Sequence, residues 1–164
     1  MKTLTHTILS AIIFGLLITL STQIFASGKA PSFKVPTNTG DIKLEEMRGQ
    51  VVYVDFWASW CAPCRKSFPW LNEMQAKYGE QGLTIIGINV DKDQKLAENF
   101  LKKNPAKFKM VYDPDGKLAS QYKLIGMPSA YLIDKEGNIQ HSHVGFRVSK
   151  QQSYEDSIQH LLNQ

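Results

Sequence analysis

The sequence predicts an α/β domain with a mixed central sheet flanked by helices and an added β-hairpin at its N-terminal end. Three observations carry that reading. Two apolar, β-branched runs at 51–57 and 83–90 are each followed by a segment of helical periodicity, the order that builds parallel βαβ units. A second hairpin pattern follows at 129–134 and 139–144, around the turn Lys135-Glu136-Gly137-Asn138. The last segment, 150–162, is amphipathic, with Tyr154, Ile158, Leu161 and Leu162 on one stripe. With 164 residues, 43% of them hydrophobic, the chain suffices for one domain with a full core, placed at 27–164.

Each element has a local reason. Segments 32–35 and 41–44 flank Pro36-Thr37-Asn38-Thr39-Gly40, the layout of a short hairpin, and a polar turn follows at 45–50. The run 51–57 lacks clean alternation, as expected of a central strand covered on both faces. From Cys61 a helix is expected, with Phe68, Leu71, Met74 and Tyr78 at spacings of three and four, ended by Gly79 and Gly82. Pro69 lies within it and is expected to bend rather than break it. The strand at 83–90 leads into a helix at 91–104 that stops at Pro105. A short strand at 109–112, a turn at 113–116 and a brief helix at 117–122 complete the middle of the chain.

The first 26 residues differ from the rest. Lys2 and His6 precede an apolar stretch at 8–20, interrupted only by Ser10, Gly15 and Thr19. This has the form of a secretory signal, and its length fits a signal core of about 7 to 15 residues better than a spanning helix of about 20. A cleavage site after Ala26 would have Ile24 where a small residue is preferred, so two readings stand: a cleaved signal peptide or a retained N-terminal membrane anchor. Both place the folded part outside the cytoplasm, in the periplasm or its extracytoplasmic equivalent. The formal net charge is +4, with lysines and arginines interspersed among acids. No aromatic stacking pattern and no glycine-rich phosphate loop accompanies them, which argues against nucleic acid and nucleotide as ligands.

The chemistry concentrates in Trp60-Cys61-Ala62-Pro63-Cys64, which holds both cysteines of the chain. In an oxidising compartment such a pair can form a disulfide. As a staple it would achieve little, because the stabilisation from a cross-link grows with the logarithm of the loop it closes. A thiol that exchanges electrons has a better reason to sit there. It attacks as its thiolate, and the unpaired N–H groups at a helix start favour the anion, lowering a CxxC pKa to about 3.5 to 7.5. One helical turn returns Cys64 toward Cys61, so that Cys64 can resolve a mixed disulfide formed by Cys61. Pro63 removes a donor that the first turn would leave unpaired. The same pair could also ligate a metal, a copper or zinc carrier completed by His141 and His143, which fall on one face of a strand. An exposed strand face is the simpler explanation of those histidines.

The run Val54-Asp55-Phe56-Trp57-Ala58-Ser59-Trp60-Cys61-Ala62-Pro63-Cys64-Arg65, Pro69 five residues after Cys64, and Gly126-Met127-Pro128-Ser129-Ala130-Tyr131-Leu132-Ile133-Asp134 together resemble the thioredoxin superfamily. The export segment, the N-terminal hairpin and the long stretch between Val90 and Gly126 look more like its TlpA-like branch of extracytoplasmic thiol-disulfide oxidoreductases. The resemblance spans 31–162 and implies a thioredoxin-like fold with no cofactor and no resident metal. It implies that Cys61 is the exposed nucleophile, Cys64 the resolving thiol and Asp55 a buried carboxylate that assists proton transfer. It further implies a cis bond at Pro128 that bares the backbone of Met127 for a substrate segment, room for that segment at Gly145, and an apolar rim at Trp60, with Trp57 either in the rim or in the core.

Two departures stand out. Ser67 stands where many members of that branch carry a glutamate and Ala62 where some carry an acid, and Gly87 occupies the strand position where cytoplasmic members of the superfamily place a lysine near the buried acid. The expected activity is exchange of the Cys61–Cys64 dithiol with protein thiols and disulfides, as a reductase supplied by a membrane electron donor. Apocytochrome c awaiting haem, a copper-site assembly protein and misoxidised exported proteins all fit such a surface. A thiol peroxidase of the same fold would need a Pro-x-x-x-Thr-x-x-Cys pattern, which the sequence lacks.

Overall fold

The computed structural model describes residues 28–37 and 40–164; the leader expected at 1–26 lies outside the described residues. Strands β3 (Val51–Trp57), β4 (Leu83–Asn89), β5 (Lys109–Tyr112), β6 (Ser129–Ile133) and β7 (Ile139–Val144) form one sheet in the order β5-β4-β3-β6-β7. β3, β4 and β5 run parallel, while β6 pairs antiparallel with both β3 and β7, so the sheet is mixed as expected. β1 (Lys34–Thr37) and β2 (Gly40–Lys43) make the separate N-terminal hairpin, its strands reaching closer to the turn than the sequence pattern implies. The polar segment after it includes a 3₁₀ turn at Leu44–Met47.

Every residue of β3 is buried, which explains why its sequence shows no alternation. Val51 and Tyr53 face a cluster with Trp70, Leu71, Met74 and Tyr78 of α1 (Ala62–Tyr78) and Ile158 and Leu161 of the C-terminal helix. Val52, Val54 and Phe56 face the opposite way, into a cluster with Phe33, Leu44, Leu118 and Tyr122, against which the hairpin residues Val35 and Ile42 pack. Two successive crossovers between parallel strands, β3-α1-β4 and β4-α2-β5, put α1 and α2 (Gln94–Lys103) on one face of the sheet. The short α3 (Lys117–Gln121) lies on the other, and α4 (Gln151–Leu162) returns to the α1 face.

Two expected helices begin later than the sequence suggests. α2 starts at Gln94 rather than 91 because Asp93 caps it, its carboxylate accepting from the Lys95 amide at 3.0 Å, while Asp91 is engaged elsewhere. α1 starts at Ala62 with Cys61 as its N-cap, so Cys61 lies just before the first turn rather than within it. The helix runs through Pro69 and ends at Tyr78, followed by a 3₁₀ turn and Gly82 at φ +101°.

The start of α1 is fastened by aromatic packing. Phe68 meets Trp57 edge-on at 5.0 Å between ring centroids and Phe100 of α2 at 5.1 Å, and Trp57 meets Phe100 at 5.0 Å. All three are buried, and both cysteines belong to the same cluster. Removing the Phe68 ring leaves a void between sheet, α1 and α2, and such truncations cost about 3–5 kcal/mol. Phe68→Ala is therefore expected to lower the unfolding free energy of the oxidised protein by that amount, read from urea midpoints at unchanged slope.

Candidate functional site

Cys61 and Cys64 are joined by a disulfide, with Cα atoms 5.3 Å apart. Cys61 has extended backbone angles, φ −84° and ψ 102°, and its side chain occupies the position of a capping oxygen. The Cys64 amide donates to Cys61 Sγ at 3.2 Å, so a helix-start N–H points at the sulfur that carries negative charge once the bond is reduced. Pro63 falls in the first turn, where its missing N–H costs nothing. Ser67, in place of an acid, donates its hydroxyl to the Cys64 carbonyl at 2.9 Å.

The expectation of an exposed Cys61 needs correction for the oxidised state: Cys61 is only 3% exposed and Cys64 fully buried. Cys61 is covered because it belongs, with Cys64, to the apolar cluster of Trp57, Ala58 and Phe68, against which Met127 packs. The sliver of remaining surface belongs to Cys61. Trp60, at 66% exposure, stands beside it as an apolar flank. Trp57 is no part of any rim; it is wholly buried in the aromatic group beneath α1.

A polar tether missed at the level of sequence holds the loop between β3 and α1. Asp91 is buried at the end of β4; its carboxylate accepts from the Ser59 amide and the Ser59 hydroxyl, each at 2.9 Å, and from Asn89 Nδ2 at 2.8 Å. Asn89 Oδ1 in turn accepts from the Asp91 amide at 3.0 Å. Ser59 precedes Cys61 by two residues, so the pair fixes the approach of the chain to the disulfide. The available signal was Asn-x-Asp at the carboxyl end of a buried parallel strand, the end where α/β sheets place their sites.

Asp55 lies on β3 between Tyr53 and Trp57, on the face covered by α1, and is buried. Among the described residues its Oδ2 has no hydrogen-bond partner, and burial alone pushes its pKa up to about 8. Its register partner on β4 is Gly87, as the sequence suggested. A Cβ there would come within 2.9 Å of Met110 Sδ and 3.0 Å of Phe108 Cε2, so two apolar side chains already fill the space. Among the described residues no cation holds Asp55 ionised.

The backbone opposite is formed by the loop into β6. Met127–Pro128 is a cis peptide, Pro128 is buried, and Met127 is half-buried. Ser129 Oγ donates to the Gly126 carbonyl at 2.8 Å, and the Gly145 amide donates to the Pro128 carbonyl at 2.7 Å. Gly145 has φ +80° with open space around a would-be Cβ, so its backbone conformation is what calls for glycine. Exposed Ile125 and Val144 border this edge.

The two strand histidines differ. His141 is exposed, as expected of an outer strand face, but His143 is partly buried and stacked on Tyr154 at 4.2 Å. Its Nε2 pairs with the Tyr53 hydroxyl and its Nδ1 with the Gly145 carbonyl, both at 2.9 Å. Neither ring nitrogen is left to complete a metal site with the cysteines.

Comparison with known proteins agrees with this geometry. Residues 26–142 match the family model described as AhpC/TSA family. The chain is 34% identical over 124 residues to the thiol-disulfide oxidoreductase ResA of Bacillus cereus, covering 75% of this chain and 72% of that one. It is 31% identical over 135 residues to ResA of Bacillus subtilis, covering 82% and 73%. Among solved structures it is similar to a protein of Chlorobium tepidum assigned as thiol:disulfide interchange protein DsbE, with 45% identity, a TM-score of 0.80 and coverage of 83% and 96%.

The buried carboxyl makes a test by pH. Its folded pKa of about 8 lies above the ordinary value of 3.8, so the folded state keeps a proton that the unfolded chain releases. Stability linked to Asp55 is full below about pH 4, falls as pH rises, and is lost by about pH 8. In Asp55→Asn this loss is absent. The stability of the variant relative to the parent is expected to grow between those limits by at most ~1.4 kcal/mol per pH unit and to level off above them, measured by urea unfolding across the range.

Proposed function

Since the chain belongs to the AhpC/TSA family of thioredoxin-like proteins and is a thiol-disulfide oxidoreductase, we propose that it works outside the cytoplasm as a reductase of protein disulfides. The observation that carries the assignment of roles is the Cys64 amide directed at Cys61 Sγ at the start of α1. In the reduced protein that donor and the helix end favour a thiolate on Cys61 at neutral pH. The thiolate attacks one sulfur of a partner disulfide; the S–S bond breaks, the leaving sulfur takes up a proton, and Cys61 becomes linked to the partner. Cys64 then loses its proton and attacks Cys61 Sγ, displacing the partner's second sulfur as a thiol. Two electrons have passed to the partner, and Cys61–Cys64 is a disulfide again.

Asp55 is suited to receive the Cys64 proton. It lies on the sheet face under α1, and a carboxyl with a pKa of about 8 exchanges protons with a thiol at little cost. Met127 and Pro128 would receive the partner's extended segment by backbone pairing, with Trp60 and Pro63 flanking the sulfur and Gly145 closing the edge. The export form of the leader supports the location, either as a cleaved signal or as an anchor. A reductase so placed needs electrons from a dithiol donor in or across the membrane, because the cytoplasmic thiol pool does not reach it.

The deciding experiment uses purified protein and an oxidised protein substrate. Cys61→Ala is expected to abolish exchange, and Cys64→Ser to accumulate partner-linked mixed disulfides; undiminished exchange by Cys61→Ala would overturn the division of roles between the two thiols. The direction is read from the reduction potential, expected nearer the roughly −270 mV of a reducing thioredoxin than the roughly −120 mV of a strong oxidant.

A further inference from the structure

Behind the docking edge runs a hydrogen-bond chain that the exchange chemistry does not use. A carbonyl can only accept, so the 2.9 Å contact between His143 and the Gly145 carbonyl requires the proton on Nδ1. Nε2 then accepts from the Tyr53 hydroxyl, also at 2.9 Å, and one tautomer satisfies both. Burial favours the neutral ring, and Lys150 disfavours the cation, while Tyr154 stacks against the imidazole within 12° of parallel. Gly145 is thus gripped on both sides: its carbonyl by His143 and its amide by the Pro128 carbonyl at 2.7 Å.

We propose that His143 is a positioning residue for substrate docking: by clamping Gly145 it holds the Pro128 side of the edge in the shape that receives a partner's disulfide-bearing segment. The inference rests on the reading of Met127–Pro128 as that edge. The physical need is plain. The paired register of β6 and β7 ends at Ser129 with Val144, and Gly145, at φ +80°, is the residue type with the widest conformational freedom. An unclamped Gly145 would sample other conformations, and a partner would have to order it on binding. The clamp is anchored at its far end in the core, because Tyr53 sits on the central strand and packs edge-on against Trp70 of α1. His143 acts through backbone atoms, without touching either sulfur, so its loss should weaken recognition of an extended substrate while leaving the dithiol as reactive as before.

The test measures steady-state reduction of insulin by the full chain, together with the rate at which iodoacetamide alkylates reduced Cys61. His143→Ala is expected to raise KM for insulin about fivefold, the order expected from one lost hydrogen bond, with kcat and the alkylation rate within about twofold of the parent. His143→Asn, whose side-chain amide can donate to the Gly145 carbonyl, is expected to bring KM back to within about twofold. Tyr53→Phe, which removes the donor to Nε2, should fall between. The proposal is overturned if KM is unmoved in His143→Ala, if the asparagine variant fares no better, or if kcat and alkylation fall along with recognition. Should His143→Ala not fold, the asparagine and Tyr53→Phe variants carry the same comparison. Failure of the parent protein itself to reduce insulin would instead count against the functional reading beneath it.

Discussion

The reactive end of this molecule depends on how α1 is seated. A helix start can polarise a sulfur only if its first amides keep their direction, and two unlike tethers enforce it. Below, Phe68 is wedged between Trp57 and Phe100, so the first turns of α1 cannot rotate without opening the core. Ahead, Asp91 holds Ser59 by both its amide and its hydroxyl, fixing the chain before it enters the helix. The 3.2 Å contact from the Cys64 amide to Cys61 Sγ is the outcome of both. Apolar packing supplies the energy, and the buried carboxylate supplies the direction.

Much of the architecture could be read from local pattern. The limits of β3, β5 and β7 coincide with the expected 51–57, 109–112 and 139–144; β5 stops at the turn that begins with Asp113-Pro114, and β7 lies between Asn138 and Gly145. The thiol pair was legible for a different reason, since two cysteines at that spacing before a helical pattern leave few chemical uses. What escaped depends on distance in sequence. Ser59 and Asp91 meet across 32 residues, and with Asp91 drawn into that contact the helix behind it starts later than its pattern suggests. Tyr53 and His143 meet across 90, so nothing local told His143 from the exposed His141. Trp57 was ambiguous between surface and interior because a strand buried on both faces carries no alternation to decide the matter.

The site gathers at one end of the sheet although its parts come from distant segments. β3 contributes Asp55 and the approach to the thiols, β4 ends at Asn89 with Asp91 just beyond it, and Met127 and Pro128 before β6 meet Gly145 after β7 at the end of that pair away from its turn. Division of labour follows from burial. Asp55 and Asp91, the carboxyl groups of this end, lie inside, whereas the apolar side chains of Trp60, Ile125 and Val144 are left outside. An apolar fringe around a nearly covered disulfide suits a reagent that must first be met by another chain before its sulfur is reached.

The crowding over Gly87 has a wider meaning. Met110 Sδ and Phe108 Cε2 lie within 3.0 Å of where a side chain at that position would begin, so a basic neighbour for Asp55 would require these two side chains to shift. Two lineages could thus share an identical carboxyl and yet run it at different acidities, the choice being written in a thioether and a phenyl ring beside the adjoining strand. Transplanting an ammonium group into this scaffold would require evicting its greasy tenants first.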